Sequence, residues 1–339
     1  MKLSDAWNPA AGKSETRDVD LAAYLHETNT DALYQAPILQ NCLNTLVGKD
    51  LIHEAYLRGS FGRGLADVHS DIDLFTVVDA DKLEETLGVV RDYLKTNLIE
   101  VTDCYDRYVP PYGGLGFTFL CKEKEHGHIL QFDFYMAIKG VCGSETLRAA
   151  PRIYAKDPLQ KWTSDPTAVN TTWHLSDKAK KFIGHYKNEE DPASLAFDEF
   201  MVVMHYVHKH LARGQTGRFI LDDNFLMQTC ASLLEQAANT KMPDVSPLYN
   251  INRTIDICCE YGDMELAKIA TRLDALLMQA PSQKKMDDLY YIAKDIFKNA
   301  YPEKYAKIED RVKSFEENIL NKPLPLTRKP GSGTSPNNA

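Results

Sequence analysis

The chain lacks a long apolar run: nowhere in its 339 residues do eighteen uninterrupted hydrophobic side chains occur. A membrane-spanning helix of ordinary length is therefore excluded. The stretch from Met1 to Lys13 has no apolar segment behind a basic start, so no secretory leader is read there and a cytoplasmic location is the default. Cysteine is scarce as well. Seven residues, an odd number with no Cys-x-x-Cys spacing in a chain too long to need disulfide staples, point to reduced core thiols. Basic charge is not in excess either. The 39 Lys and Arg face 48 Asp and Glu, a formal charge of −9, and the acidic excess is concentrated in the first 150 residues. That balance argues against a nucleic-acid-tracking surface and is compatible with a cationic ligand.

What is present is an ordinary globular composition, 44% hydrophobic and 26% charged, at a length that predicts about two domains. Apolar spacing from Leu21 to Leu46 predicts one or two helices. Strand character follows at 55–58 and 72–78, then an amphipathic helix over 82–94 and a short strand near 98–101. The run Arg107 to Gly116, with Pro110, Pro111, Gly113 and Gly114, reads as a loop, and 117–121 and 129–138 read as a hairpin. From about Pro151 the strand signal disappears. Helical patterns then occupy 193–211, 221–238, 247–259, 263–278, 286–297 and 302–320. The expected division is 1–148 for a catalytic domain with N-terminal helices, 149–321 for an all-α bundle, and 322–339 for a disordered tail rich in Pro, Gly, Ser and Asn.

The chemistry concentrates in Leu57-Arg58-Gly59-Ser60-Phe61-Gly62-Arg63-Gly64 and in Ser70-Asp71-Ile72-Asp73-Leu74. Strand alternation sends Asp71 and Asp73 to one face and Ile72 and Leu74 to the other. Two carboxylates that close repel unless a cation compensates them, and hard oxygen ligands suit Mg²⁺. The same alternation in Gln131-Phe132-Asp133-Phe134-Tyr135 sets Asp133 apart from its aromatic neighbours. If the two strands are adjacent, three acids converge, enough for two divalent ions about 4 Å apart. Gly59 allows close backbone approach to a phosphate, the Ser60 hydroxyl can donate to it, and Arg63 can neutralise it.

In these residues the chain resembles the nucleotidyltransferase superfamily typified by DNA polymerase β: a Gly-Ser turn, roughly ten residues, an Asp-x-Asp strand, and a third acid on a later strand. The resemblance covers about residues 50–140. It implies an α+β fold, a small mixed sheet with flanking helices, here followed by an all-α bundle. It also implies a Mg²⁺-dependent enzyme transferring a nucleoside monophosphate, AMP from ATP foremost, to a hydroxyl. Asp71, Asp73 and Asp133 are then catalytic and metal-binding, with Asp133 either completing the metal site or taking the acceptor's proton. Gly59, Ser60, Arg63 and Ser70 bind the nucleotide.

The transfer core does not name the acceptor. A catalytic domain followed by a helical bundle resembles the aminoglycoside and lincosamide nucleotidyltransferases, which implies a small, hydroxylated, cationic acceptor. Protein and RNA acceptors are alternatives within the enzyme class, and an inert binding or antitoxin-like module is the alternative outside it. Other candidates have plainer readings. His205, His208 and His210 share one helix but lack a metal-ligand pattern, His126 and His128 flank a turn, Gly214 suits a helix C-cap, and Asp198 and Glu199 suit a helix dipole.

Overall fold

A computed structural model of the chain describes residues 17–109, 114–139, 150–158, 175–187, 192–242 and 245–322. The tail expected from 322 onward lies outside these residues, Lys322 aside. By its contacts the chain divides into two units, Met1–Glu189 and Glu190–Ala339. This division falls later than the 148/149 boundary read from the sequence, because residues beyond 149 supply an edge strand and a helix to the first unit.

In the first unit, α1 (Leu21–Glu27) and α2 (Gln35–Gly48) lead into β1 (Glu54–Leu57), a single helical turn α3 (Gly59–Gly62), and β2 (Ile72–Val78). Helix α4 (Leu83–Asn97) then precedes β3 (Ile99–Val109), β4 (Gly114–Lys122), β5 (Ile129–Ile138), β6 (Arg152–Ala155) and α5 (Asp177–Lys187). The six strands form one sheet in the order β3-β4-β5-β2-β1-β6. Strands β2 and β5 run parallel, and the other neighbours are antiparallel. The expected α+β core followed by helices is the observed architecture.

The loop read over 107–116 is corrected at both ends: β3 continues to Val109 and β4 starts at Gly114, with Tyr108 paired to Leu115 and Val109 to Gly114. The ladder is made by backbone groups, so the glycines there do not interrupt it. Strand β6 is a second correction, since it is four residues long, three of them paired with β1, and no alternation can be read over so short a stretch.

Alternation gives the sheet two unlike faces. Ala55, Leu57, Ile72, Leu74, Val78, Phe132, Phe134, Met136, Phe117 and Phe119 join one apolar cluster with Leu39, Leu43, Leu87, Val90 and Ile183 from α2, α4 and α5. Each Leu, Ile, Val, Phe or Met among these contributes about 1.5–3 kcal/mol of burial. Among the described residues the opposite face holds a smaller cluster of Tyr56, Phe75, Val77 and Ala137.

The second unit contains α6 (Pro192–Ala212), α7 (Thr216–Asn239), α8 (Ile251–Glu260), α9 (Met264–Leu277), α10 (Gln283–Ala300) and α11 (Pro302–Phe315), the last ending in a widened π turn over Glu316–Leu320. Phe197, Phe200, Leu226, Leu233, Leu289, Phe297 and Phe315 are buried in it. Side chains of Asn250, Asp263 and Ser282 cap α8, α9 and α10 by accepting from backbone N–H groups, each worth about 1 kcal/mol. Gly214, with φ +66°, closes α6 as expected. Asp223 and Lys285 form a buried ion pair at 3.0 Å, and Lys285 also donates to the Gln279 carbonyl at 2.9 Å.

Candidate active site

The register of four neighbouring strands sets out the polar face. Asp73 on β2 is the pairing partner of Asp133 on β5, and Asp133 in turn faces Thr118 on β4. On the other side, the Arg58 N–H donates to the Asp73 carbonyl at 3.0 Å, continuing the β1–β2 ladder by one residue. Arg58, Asp73, Asp133 and Thr118 thus form one row across the sheet. The next row holds Tyr56, Phe75, Tyr135 and Gly116. Phe75 and Tyr135 stack with centroids 6.3 Å apart, and the Arg58 guanidinium lies 5.8 Å from the Tyr135 ring centroid.

The Gly-Ser turn meets this row directly. Gly59 has φ +59°, and a Cβ placed there would overlap the Asp73 carboxylate. Only glycine fits, for both reasons. Ser60 follows within α3, and its hydroxyl oxygen is buried with no hydrogen-bond partner among the described residues. Arg63 is exposed at the C-terminal end of the same turn.

Two helices that precede the motif hold it in place. The Tyr24 hydroxyl of α1 donates to the carbonyls of Phe61 and Gly62 at 3.1 and 2.8 Å. The Gln35 amide nitrogen at the start of α2, wholly buried, lies 3.0–3.1 Å from the carbonyl oxygens of Asp67, Val68 and Ser70 and shares its two N–H groups among them. One helix thus anchors the Gly-Ser turn and the other the loop that delivers Asp71. Ser70 belongs to that loop: its hydroxyl donates to Asp67 Oδ1 at 3.0 Å and accepts from the Asp67 N–H at 2.8 Å. Neither Tyr24 nor Gln35 carries a sequence signal for these contacts beyond lying in a predicted helical region.

Asp133 is 4% exposed, and both of its oxygens accept hydrogen bonds, from Thr118 Oγ1 and Gln131 Nε2, each at 2.7 Å. Asp71 immediately precedes β2, two residues before Asp73 and in the same strand phase.

Residues 38–112 match the nucleotidyltransferase domain family. The chain carries a nucleotidyltransferase domain. The match runs from α2 through the Gly-Ser turn and the Asp-x-Asp strand, in keeping with the polymerase β-type superfamily, and stops before β5. Asp133 is therefore tied to the nucleotidyltransferase domain by its register with Asp73. No curated protein matches the chain.

The donor set fits a divalent cation bound with a triphosphate. Paired carboxylates supply hard oxygen ligands, the turn has no side chain where the Asp73 carboxylate lies, and the buried Ser60 hydroxyl awaits an acceptor. Several of the other polar candidates have local partners. His210 Nδ1 is 2.5 Å from Asp222, and Asp198 accepts from Arg311 at 2.5 Å. His205 and His208 are buried in the bundle, and His128 stacks on Tyr34 at 4.9 Å. Ligand atoms of Glu123, Glu125 and His126 lie within 4.8 Å of one another at the β4–β5 turn, where the Glu123 carboxylate accepts from the backbone N–H groups of Glu125 and His126.

Proposed function

We propose that the nucleotidyltransferase domain transfers a nucleoside monophosphate, AMP from ATP foremost, to a hydroxyl of a small cationic acceptor of the aminoglycoside or lincosamide kind. The observation that carries this reading is the acid row of Asp73 and Asp133 set directly against the Gly59–Ser60 turn. Asp71, Asp73 and Asp133 would hold Mg²⁺, two ions in the full arrangement. When bound, Mg²⁺ neutralises phosphate charge and makes a hydroxyl easier to deprotonate.

The chain's own residues do the remaining work. Gly59 admits the triphosphate close to the backbone, Ser60 donates to a phosphate oxygen, and Arg63 offsets its charge. The acceptor oxygen then bonds to the α-phosphorus, the bond from that phosphorus to pyrophosphate breaks, and the acceptor's proton is lost to water. Asp133 is read as a ligand, because the donors on both its oxygens address its anionic form. The acidic excess of the first 150 residues supports a cationic acceptor, whose ammonium groups find carboxylate partners there.

The test is to incubate the protein and Mg²⁺ with each labelled nucleoside triphosphate and panels of aminoglycosides, lincosamides, proteins and RNAs. Label on a small molecule with release of pyrophosphate is the expected result. Label confined to protein or RNA overturns the acceptor assignment, and no consumption of any nucleotide overturns the enzymatic reading.

A further inference from the structure

Asp133 differs from the other two acids in being held from two sides. Thr118 faces it across the β4–β5 ladder, and Gln131 sits two residues upstream on the same strand and therefore on the same face. Each donates to a different carboxylate oxygen at 2.7 Å, and the three side chains are 4%, 1% and 4% exposed for Thr118, Gln131 and Asp133. Strand β5 lies between β4 and β2, so the Thr118 donor approaches from the side away from Asp73. Continuing the β2–β5 register one step back from Ile72 and Phe132 brings Gln131 alongside Asp71.

A carboxylate with a donor on each oxygen cannot turn about its Cβ–Cγ bond without breaking two charge-assisted hydrogen bonds. We propose that Thr118 and Gln131 are positioning residues: they fix the plane of the Asp133 carboxylate in the orientation from which it would hold a divalent cation together with Asp73. Nothing in the Gly-Ser or Asp-x-Asp pattern contains either residue. The inference rests on the proposed metal role of Asp133, and residues that orient metal ligands typically carry 10–100-fold of metal affinity.

The test titrates Mn²⁺ into the protein in the presence of a non-hydrolysable ATP analogue, following free Mn²⁺ by electron paramagnetic resonance. Melting temperatures are recorded on the same samples without metal. Thr118→Val and Gln131→Met, which keep size and remove the donor, should each weaken Mn²⁺ binding about tenfold. Thr118→Ser should restore binding to within about twofold of the unaltered protein, since it keeps the hydroxyl. The two changes act on different oxygens, so one informative variant remains if the other does not fold. Unchanged Mn²⁺ affinity in Thr118→Val and Gln131→Met, alongside a large loss in Asp133→Asn, overturns the positioning role and leaves the metal reading standing. Equal losses in Thr118→Ser and Thr118→Val also overturn it. Unaltered affinity in Asp133→Asn overturns the reading beneath it.

Discussion

The two faces of the central sheet are built from the same strands and obey opposite rules. On one, Leu74, Phe132, Phe134 and Phe117 vanish into a core with helices α2 and α4. On the other, the residues between them, Asp73, Asp133 and Thr118, line up as a polar row beside a glycine turn. The first face stabilises the fold. The second gathers two acids into one row with Arg58 and Thr118, the row to which the proposed function assigns binding.

Substitutions on the two faces should separate these tasks. The largest effect is expected from Asp73→Asn, which should reduce transfer far more than tenfold, a barrier increase of several kcal/mol. Its melting temperature should change little, since the apolar core lies on the other face of the sheet. More than about a tenth of the original rate would refute the assigned role. On the opposite face Phe134→Ala should cost about 3–5 kcal/mol in urea unfolding, with the rate per folded molecule nearly retained. If that rate falls as far as in Asp73→Asn, the faces are not separable.

Gly59→Ala lies where fold and site meet. The positive φ costs about 1–2 kcal/mol, and the new methyl group competes with the Asp73 carboxylate for space. The rate should fall further than the measured stability does, and a proportional fall in both would count against contact between turn and acid.

The smallest effect concerns pH. A hydrogen bond from the Arg152 guanidinium to Asp18 at 2.5 Å holds the Asp18 carboxyl below its ordinary value of 3.8. A carboxyl so depressed adds stability that is present above that ordinary value and is lost as pH falls through the lower folded value. Asp18→Asn should therefore show a slightly shallower loss of melting temperature between neutral and acid pH than the unaltered chain. Identical profiles would place the pair among exposed contacts of no consequence, where the 61% exposure of Asp18 already tends.

Much of this arrangement was legible from alternation. Strands 72–78 and 129–138 have the bounds read from the sequence, because each is a mostly apolar run rich in β-branched and aromatic residues with polar residues beyond both ends. The adjacency of Asp73 and Asp133 was a condition of the sequence reading, and the parallel register meets it. Four supporting residues were not legible. Tyr24 and Gln35 act on carbonyls more than thirty residues away, and Thr118 reaches Asp133 only through strand pairing. Gln131 sits close in sequence, but a polar residue two before an acid has no meaning until both are known to be buried. Strand β6 escaped for lack of length.

That short strand has a practical consequence. Arg152 on β6 is clasped by Glu54 at 2.8 Å and by Asp18, and backbone bonds join it to residues 17 and 19. A fragment ended at residue 148 would strip β6 from the sheet, leaving β1 with a bare rim of unpaired amides and Glu54 with no counter-ion. Such rims recruit strands from other molecules, and the truncated protein should clump on concentration where the longer chain stays dispersed.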